Sequence, residues 1–323
     1  MSASILVTGA SGFVGRRLTA VLVASDHQVR AAFRTAASPA VGPGYESVAV
    51  GSLGADTDWR NALDTVSTVV HLAARVHVMQ DTAGDPLAEF RRVNVAGTLS
   101  LARQAVEAGV RRFVFISSVK VNGEGTAPGQ PYTADDRPAP VDAYGLSKHE
   151  AELGLLELAK TTGLEVVIIR PVLVYGPGVG ANFLAMMRWL YRGVPLPLGA
   201  IHNRRSLIAV DNLVDLIIRC LDHPAAANQI FLASDGDDLS TTELLRRTAK
   251  ALGRPARLLP VPVPLLDMVA RVLGKQDFSQ RLCGSLQVDI GKNRSLLGWT
   301  PPLTVDAGLA LAARHFLNEL KKQ

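Results

Sequence analysis

Short apolar segments alternate with amphipathic segments along the first 235 residues of this chain. The apolar segments predict strands at 4–10, 28–33, 47–50, 68–74, 112–118, 165–176, 206–210 and 229–234. Between them, helical periodicity predicts helices at 12–24, 86–108, 143–162, 211–222 and 240–252. Strands that are apolar throughout and alternate with helices are typical of a parallel sheet covered on both faces. The pattern therefore predicts a doubly wound α/β fold.

The composition of the sequence changes after about residue 177, where glycine and proline cluster in YGPGVGA and RGVPLPLG. We predict one domain over 1–177, joined by parts of 206–235, and a smaller α/β substrate-binding domain over 178–323. The second domain is expected to close over the carboxyl ends of the strands, where open parallel sheets bind ligands. Residues 261–274 are either a buried strand-to-helix connection, which their length favours, or a membrane-surface contact.

Composition narrows the functional classes. Of the 323 residues, 48% are hydrophobic and 20% charged, as in ordinary globular proteins. We expect a cytoplasmic protein, because the chain has no signal-peptide pattern, no run long enough to span a membrane and only two distant cysteines. The sequence has no cluster of histidine, cysteine or carboxylate residues, so we predict no metal site. The basic residues, which give a net charge of +5, are scattered in pairs, so we expect a phosphorylated ligand rather than nucleic acid.

The segment TGASGFVG directly follows the first predicted strand and opens the first helix. Its glycines, Gly9, Gly12 and Gly15, suit a tight turn, close approach of a pyrophosphate and close helix–strand packing. A plain glycine-rich turn is the alternative. The position at the first strand-to-helix junction favours a Rossmann-type dinucleotide site instead.

The end of the second strand bears on which dinucleotide binds. Sites for NAD often place an acid there to hold the ribose 2′-hydroxyl. This chain has Arg34 at that place, and its nearest acid, Asp26, precedes the strand. A guanidinium suits a 2′-phosphate, so we predict NADP, with NAD as the alternative if Arg34 is only a solvated strand end.

Tyr144 and Lys148 are four residues apart in DAYGLSKHEAE, so a helix would bring their side chains to one face. A phenol with a pKa near 10 is a poor acid–base catalyst at neutral pH. A neighbouring ammonium, helped by an oxidised nicotinamide, is expected to lower that pKa. An ordinary helix surface is the alternative. The glycine-rich turn and the serine-ended strand FVFISS in the same chain favour a catalytic pair.

The motifs TGASGFVG, VVHLAA, FVFISS, YGLSK and RPVLVYGPG occur in this order. Over essentially its whole length the chain resembles the extended short-chain dehydrogenase/reductases, in particular the NAD-dependent epimerase/dehydratase family that acts on nucleotide sugars. The resemblance implies that Ser118 hydrogen-bonds the sugar oxygen, Tyr144 transfers the proton, and Lys148 holds the nicotinamide ribose and tunes Tyr144. The other cofactor contacts that it implies are Ser11, Phe13, Val14, Leu72, Ala73, Ala74 and Pro171.

The residues after Ser118 bear on the reaction. Sugar 4,6-dehydratases of this family carry an Asp-Glu pair there, because eliminating water needs an added acid and base. Val119 and Lys120 stand at those positions, so dehydration is disfavoured. Asn122 replaces the family's usual tyrosine, which puts the shape of the sugar pocket in doubt.

Three functions follow from the resemblance. The first is an NADP-preferring reductase acting at C4 of a UDP-linked 4-keto-6-deoxy hexosamine, similar to enzymes that form UDP-N-acetylquinovosamine for bacterial polysaccharides. The second is a UDP-hexose or UDP-N-acetylhexosamine 4-epimerase with tightly bound NAD. The third is a catalytically silent dinucleotide sensor, which would have no reason to keep Ser118, Tyr144 and Lys148 together.

The resemblance also implies substrate contacts. Arg205 corresponds to an arginine that contacts the substrate diphosphate, a role that suits its fork of donors. A homodimer through the helices at 86–108 and 143–162 is one option, although burial against the sheet explains their apolar faces equally well. The remaining substrate-binding candidates are Ser117, Ser118, Lys120, Asn182 and Arg281.

Overall fold

The computed structural model describes residues 4–35, 44–76, 85–127, 129–272, 274, 280 and 282–322. Among these residues, no helix is both long enough and apolar enough to cross a bilayer.

Seven parallel strands form the central sheet. They are β1 (Ser4–Thr8), β2 (Gln28–Phe33), β3 (Glu46–Ala49), β4 (Val66–His71), β5 (Arg112–Ile116), β6 (Glu165–Pro171) and β9 (Gln229–Ala233). Their order is β3-β2-β1-β4-β5-β6-β9, so the direction of winding reverses between β1 and β4. A second, two-stranded parallel sheet pairs β7 (Leu173–Tyr175) with β8 (Leu207–Ala209). The doubly wound, Rossmann-type α/β fold is confirmed.

Helices connect the strands. They are α1 (Phe13–Ala24), α2 (Arg60–Leu63), α3 (Pro86–Phe90), α4 (Thr98–Glu107), α5 (Ala143–Thr162), α6 (Ala181–Tyr191), α7 (Val210–Asp222), α8 (Thr241–Ala251), α9 (Val263–Val272), α10 (Gly291–Leu297) and α11 (Val305–Leu320). A π-helical turn, Arg91–Gly97, joins α3 to α4, and short 3₁₀ turns occupy Val119–Val121 and Pro224–Ala226. The helix predicted at 86–108 is thus three consecutive segments.

Both faces of the sheet are apolar because successive side chains of each strand enter different cores. On β5, Phe113 and Phe115 pack with α4 and α5, whereas Val114 and Ile116 pack on the side of α1 and α7. Every residue of β5 is buried. This two-sided burial explains why the strands are continuous apolar runs in the sequence.

The single strand predicted at 165–176 is wrong, because the chain changes sheets within it. β6 ends at Pro171 and pairs with β5 and β9, whereas β7 begins at Leu173 and pairs with β8. Proline has no amide hydrogen to donate to a continuing ladder, which gives the break a physical cause. The break sends the chain away from the main sheet at its carboxyl edge.

A third core lies between α6, α8 and α11. The segment 261–274 is not part of it. Its helix α9 has no buried residue, so the prediction of a buried connection is wrong for this segment. The division of the chain into domains at residue 177 stays a prediction.

Arg112 ties β5 to its neighbours from a fully buried position. Its Nε and Nη2 donate to the carboxylate of Glu165 at 2.8 and 2.6 Å. Its Nη1 donates to the carbonyls of Cys220 and His223, at 2.9 and 3.0 Å, where α7 ends. Adjacent Arg111 also donates to Glu165, at 2.9 Å, but its side chain is 52% exposed.

These two arginines provide a matched test of fold stability. We expect Arg112→Leu to lower the free energy of unfolding by about 3 kcal/mol, because it leaves the Glu165 carboxylate and two carbonyls without their buried donor. Arg111→Leu should cost less than about 1 kcal/mol, since its ion pair is exposed. Urea unfolding of both variants measures the difference, and equal losses would contradict the role given to Arg112.

Candidate active site

The predicted site residues converge at the carboxyl edge of the sheet, beside the point where the winding reverses. The turn after β1 approaches the segment after β4 so closely that a Cβ on Gly9 would lie 2.8 Å from the backbone nitrogen of Ala73. The Ala73 amide donates to Thr8 Oγ1 at 3.2 Å, which joins the two segments. Gly9 also has a φ of +67°, a conformation that favours glycine.

The start of α1 fits the phosphates of a dinucleotide. Gly12 is the N-cap residue and offers no side chain to the first amides of the helix. A Cβ on Gly15 would lie 2.1 Å from the carbonyl oxygen of Gly9, so a side chain there would displace the turn. Ser11 and Gly12 are exposed, and the first turn of α1 has no acidic residue. The site therefore presents free amides and a positive helix end without a competing carboxylate.

Other predicted cofactor contacts surround this turn. Leu72, Ala73 and Ala74 are half-buried directly after β4, and Pro171 is the last residue of β6. Arg34 is exposed one residue beyond β2, and residues 36–43 after it lie outside the described part of the chain. Its predicted contact with a 2′-phosphate stays a prediction.

Ser118 and Tyr144 lie together where β5 ends and α5 begins. Ser118 Oγ accepts the amide of Lys120 at 3.2 Å, which starts the 3₁₀ turn after β5. Ser118 lies close enough to Tyr144 for its hydroxyl to act on the phenol, in the direction that lowers the pKa of Tyr144. The contact depends on Gly145, since a Cβ there would lie 2.7 Å from the carbonyl oxygen of Lys120.

The pKa of Tyr144 runs opposite to the expected lowering. Burial, with a smaller contribution from the Asp142 carboxylate, raises it to about 12, and the Ser118 hydroxyl acts in the lowering direction. Lys148 is not among the groups that shift it. The protein therefore favours the neutral phenol of Tyr144, because the loss of hydration on burial outweighs the lowering effect of Ser118.

Lys148 is buried one helical turn from Tyr144. Its Nζ lies 4.1 Å from the centre of the Phe115 ring. Burial lowers the pKa of Lys148 to about 7, with the Glu152 carboxylate acting in the raising direction. Nearby His71 is also buried, and burial together with the charge of Lys148 lowers its pKa to about 3. Because His71 is neutral, the positive charge beside it comes from Lys148 when Lys148 is protonated.

The sequence analysis missed Asn94, which lies in the π-helical turn and is 1% exposed. Its side chain accepts the Arg75 amide at 2.8 Å and donates to the Arg75 carbonyl at 3.0 Å. It also donates to Ser147 Oγ at 3.0 Å, and Ser147 in turn donates to the carbonyl of Tyr144 at 2.8 Å. Asn94 therefore positions the Tyr144 turn against the loop after β4. The sign of this role in the sequence is a polar asparagine inside an amphipathic helical segment, next to Arg92 and Val93.

Asn122 belongs to a buried polar network, and Ser117 is buried near it. Arg170 donates to both carboxylate oxygens of Glu152, at 2.9 and 2.6 Å, and to Asn122 Oδ1 at 3.0 Å. Asn122 also donates to the carbonyl of Thr133 at 3.1 Å. Ser117 is 3% exposed, and its Oγ makes no hydrogen bond within the described residues. The substrate contact of Ser117 and the effect of Asn122 on a sugar pocket stay predictions.

Lys120 points to carboxylates of its own chain. Its Nζ pairs with Asp142, the N-cap residue of α5, and with Glu124 at 3.2 Å. The side chain is 31% exposed. The structure thus places Lys120 beside the Tyr144 turn, with its charge offset by two acids, and its contact with a substrate stays a prediction.

The predicted diphosphate contacts lie on the second part of the chain. Arg205 is half-buried, donates from Nη1 to the carbonyl of Gly284 at 3.0 Å, and has no carboxylate partner among the described residues. Burial lowers its pKa, as expected for a cation without an anion beside it. Asn182 is exposed in the first turn of α6. Arg281 lies outside the described residues. Within the described residues, no group of side chains could hold a metal ion.

The glycine-rich turn gives a first test. We expect Gly15→Ala to weaken dinucleotide binding at least about tenfold, because its Cβ would displace the Gly9 carbonyl and the turn with it. Gly180→Ala is the matched control, since a Cβ at Gly180 would meet no atom within 4 Å. Titration with NADH and NADPH, followed by fluorescence, measures both variants. Unchanged binding by Gly15→Ala would contradict the site.

Lys148 gives a second test through pH. Because its pKa is near 7 folded and near 10.4 unfolded, the unfolded chain binds more protons between these values, so stability rises with pH. We expect wild type to gain about 2 kcal/mol relative to Lys148→Met between pH 7 and pH 9. Lys160→Met, at a side chain that is 71% exposed, should follow wild type. Urea unfolding at each pH measures this, and parallel profiles for wild type and Lys148→Met would contradict the lowered pKa.

Known proteins resemble the chain over its whole length. A UDP-glucose 4-epimerase from Vibrio cholerae is 51% identical over 319 residues, which cover 98% of this chain and 96% of that protein. The N-acetyl-alpha-D-glucosaminyl-diphospho-ditrans,octacis-undecaprenol 4-epimerase of Escherichia coli O157:H7 is 28% identical and covers 100% of this chain and 98% of its own length.

Solved structures resemble it as well. MoeE5 in complex with UDP-glucose and NAD has a TM-score of 0.79 at 27% identity, covering 98% of this chain and 100% of that chain. The model of the NAD dependent epimerase/dehydratase family matches residues 5–233. The chain therefore belongs to the NAD-dependent epimerase/dehydratase family.

Proposed function

We propose that this protein is an NAD-dependent UDP-hexose 4-epimerase, which inverts the configuration at C4 of the sugar. The observation that carries the proposal is the 51% identity to the Vibrio cholerae UDP-glucose 4-epimerase over 98% of the chain. The relative with a lipid-linked substrate is only 28% identical, which favours a nucleotide sugar.

The assignment of the proton transfer rests on Ser118 and Tyr144. The two side chains lie next to each other at the carboxyl edge of the sheet, where a bound sugar would reach both. Tyr144 takes the proton from the C4 hydroxyl as the carbon is oxidised, and returns it to the same oxygen after the sugar presents its other face. Ser118 donates a hydrogen bond to that oxygen and holds it beside the phenol.

A bound NAD supplies the chemistry of a reversible two-electron oxidation at C4. The residues of the chain must lower the free-energy cost of forming the Tyr144 phenolate, because the pKa of Tyr144 in its buried position is raised to about 12. Lys148, the buried cation on the same helix face, stabilises negative charge in this region when it is protonated. Asn94 and Ser147 keep the Tyr144 turn in place.

Arg205 is the proposed ligand for the UDP diphosphate. Its side chain is half-buried, and it has no carboxylate partner within the described residues, so an anionic ligand would supply the missing counter-charge. Asn182, at the start of α6, is a second proposed contact.

NAD is the proposed cofactor, although Arg34 led us to predict NADP from the sequence. The support is that MoeE5, at 27% identity, binds NAD with UDP-glucose. An epimerase also has no net demand for a reductant, since the oxidation and the reduction at C4 cancel.

A 4-keto reductase would use the same Ser118, Tyr144 and Lys148, so these residues do not separate the two reactions. The difference lies in the cofactor balance. An epimerase turns over without consuming a dinucleotide, whereas a reductase consumes one dinucleotide for each sugar.

The test is interconversion of UDP-glucose and UDP-galactose by the purified protein, without a reductant and with added NAD. We expect wild type to reach equilibrium between the two sugars. Tyr144→Phe should lower kcat by about 10²- to 10⁴-fold, because it removes the proton acceptor but keeps the ring. Tyr191→Phe, in α6, is the matched control and should retain wild-type activity.

Two outcomes would contradict the proposal. One is stoichiometric oxidation of NADPH with a UDP-linked 4-keto-6-deoxy hexosamine and no interconversion of UDP-hexoses, which would establish the reductase. The other is equal activity of wild type and Tyr144→Phe, which would remove Tyr144 from the reaction.

A further inference from the structure

Helix α9 carries an apolar stripe on the side that faces solvent. Leu265, Met268, Val269 and Val272 are 46%, 55%, 48% and 82% exposed. Their spacing of three, four and seven residues from Leu265 places them on one face of a helix. In an ordinary surface helix the apolar face is the buried one, so this stripe indicates a partner.

The opposite side of α9 rests on the protein. Leu266 and Ala270 are half-buried, one helical turn apart, whereas Pro264 and Arg271 are exposed. The helix therefore has an apolar residue on each side, and only one side is covered by the chain.

The stripe continues onto neighbouring segments. Leu259 is 53% exposed and lies only four residues before α9, so the two are at most about 14 Å apart. The Leu259 amide donates to the carbonyl of Leu196 at 2.8 Å, which brings it beside Val194, itself 39% exposed. The Val194 amide donates to the carbonyl of Trp189, whose side chain is 45% exposed.

Exposed arginines surround these apolar residues. Arg188 and Arg192 lie at the end of α6, and Arg254 and Arg257 lie between α8 and α9. Arg254 stacks over the ring of Tyr191 at 4.7 Å. A Cβ on Gly193 would lie 3.8 Å from the Arg257 guanidinium, which places the two arginine pairs together. No ion pair involves these four arginines within the described part of the chain.

The segments that form this face carry one acidic residue, Asp267 of α9, which is half-buried. Residues 176–210 and 244–266 contain nine of the chain's 34 lysines and arginines and no aspartate or glutamate. The rest of the chain therefore holds 25 basic and all 29 acidic residues. The positive charge is concentrated on the part of the molecule that carries the apolar stripe.

We propose that this apolar-basic face, formed by α9, Leu259, Val194, Trp189 and the four arginines, docks on the surface of an anionic lipid bilayer. The apolar stripe would lie at the acyl boundary, and the arginines would contact lipid phosphates. A partly exposed tryptophan beside arginines is the composition that membrane interfaces favour.

Charge decides between a bilayer and a second copy of the chain. A two-fold dimer would bring the same face of each protomer together, and each copy would bring four arginines against one half-buried aspartate, Asp267. Anionic headgroups neutralise these charges, whereas a second copy does not.

Vesicle co-sedimentation tests the proposal with the full chain. We expect the protein to bind vesicles of phosphatidylcholine with phosphatidylglycerol, but not phosphatidylcholine alone, and to be released by high salt. Met268→Glu with Val272→Glu should weaken binding at least about tenfold, since it removes apolar area and adds negative charge. Leu296→Glu, at another exposed leucine on α10, is the matched control and should bind as wild type does.

The arginines are tested separately. We expect Arg257→Gln to weaken binding to the anionic vesicles about fivefold, because each basic residue near a charged bilayer contributes about that factor. Arg103→Gln, at an exposed arginine on α4, should leave binding unchanged. Thermal midpoints of all variants should match wild type, because every substituted side chain is exposed.

The results that would contradict the docking proposal differ from those that would contradict the epimerase proposal. Absence of wild-type binding to anionic vesicles would overturn the docking proposal whatever the activity on UDP-glucose. A concentration-dependent dimer that Met268→Glu with Val272→Glu dissociates would also overturn it, and would assign the face to a second copy. Equal binding by that double variant and wild type would show that the stripe is not the contact.

Discussion

A parallel sheet buried on both faces sends every loop that follows a strand to the same edge, and the candidate site depends on this constraint. The ends of β1, β4, β5 and β6 bring the glycine-rich turn, the segment after β4, Ser118 and Pro171 together. The winding reverses between β1 and β4, which opens a crevice at that point. Gly9 fits only because it has no side chain, since Ala73 occupies the place of its Cβ.

A buried ion pair holds α5, the helix that carries Tyr144 and Lys148, against the sheet. Glu152 and Arg170 form a bidentate pair, and both side chains are 2% exposed. Such a pair costs much of its attraction in lost hydration, so its evident contribution is to fix how α5 sits on β6. Lys148 lies on the same helix, one turn before Glu152, and is held in an equally dry place. The loss of hydration that lowers the pKa of Lys148 also raises that of Tyr144.

Sequence patterns were most informative where they repeat. The strands at 28–33 and 229–234 and the helix at 143–162 follow from continuous apolar runs or 3.6-residue periodicity, and the structure has them within a residue. Single residues were less informative. We predicted a substrate contact for Ser117 and an altered sugar pocket from Asn122, but no local pattern indicates that both are buried or that Asn122 contacts Arg170, which is distant in sequence. Asn94 was missed because its partners, Arg75 and Ser147, come from different segments.

The sequence by itself determined the doubly wound sheet, because strand-to-helix order and continuous apolar runs are local patterns, and it predicted a dinucleotide site at the glycine-rich turn and, through the family resemblance, the Ser118, Tyr144 and Lys148 set. Only the tertiary structure decided which polar residues face the cleft, in which direction the pKa of Tyr144 moves, and that α9 turns its apolar stripe to solvent. Those properties depend on burial. Burial is set by packing between segments far apart in the chain, and no local pattern records it.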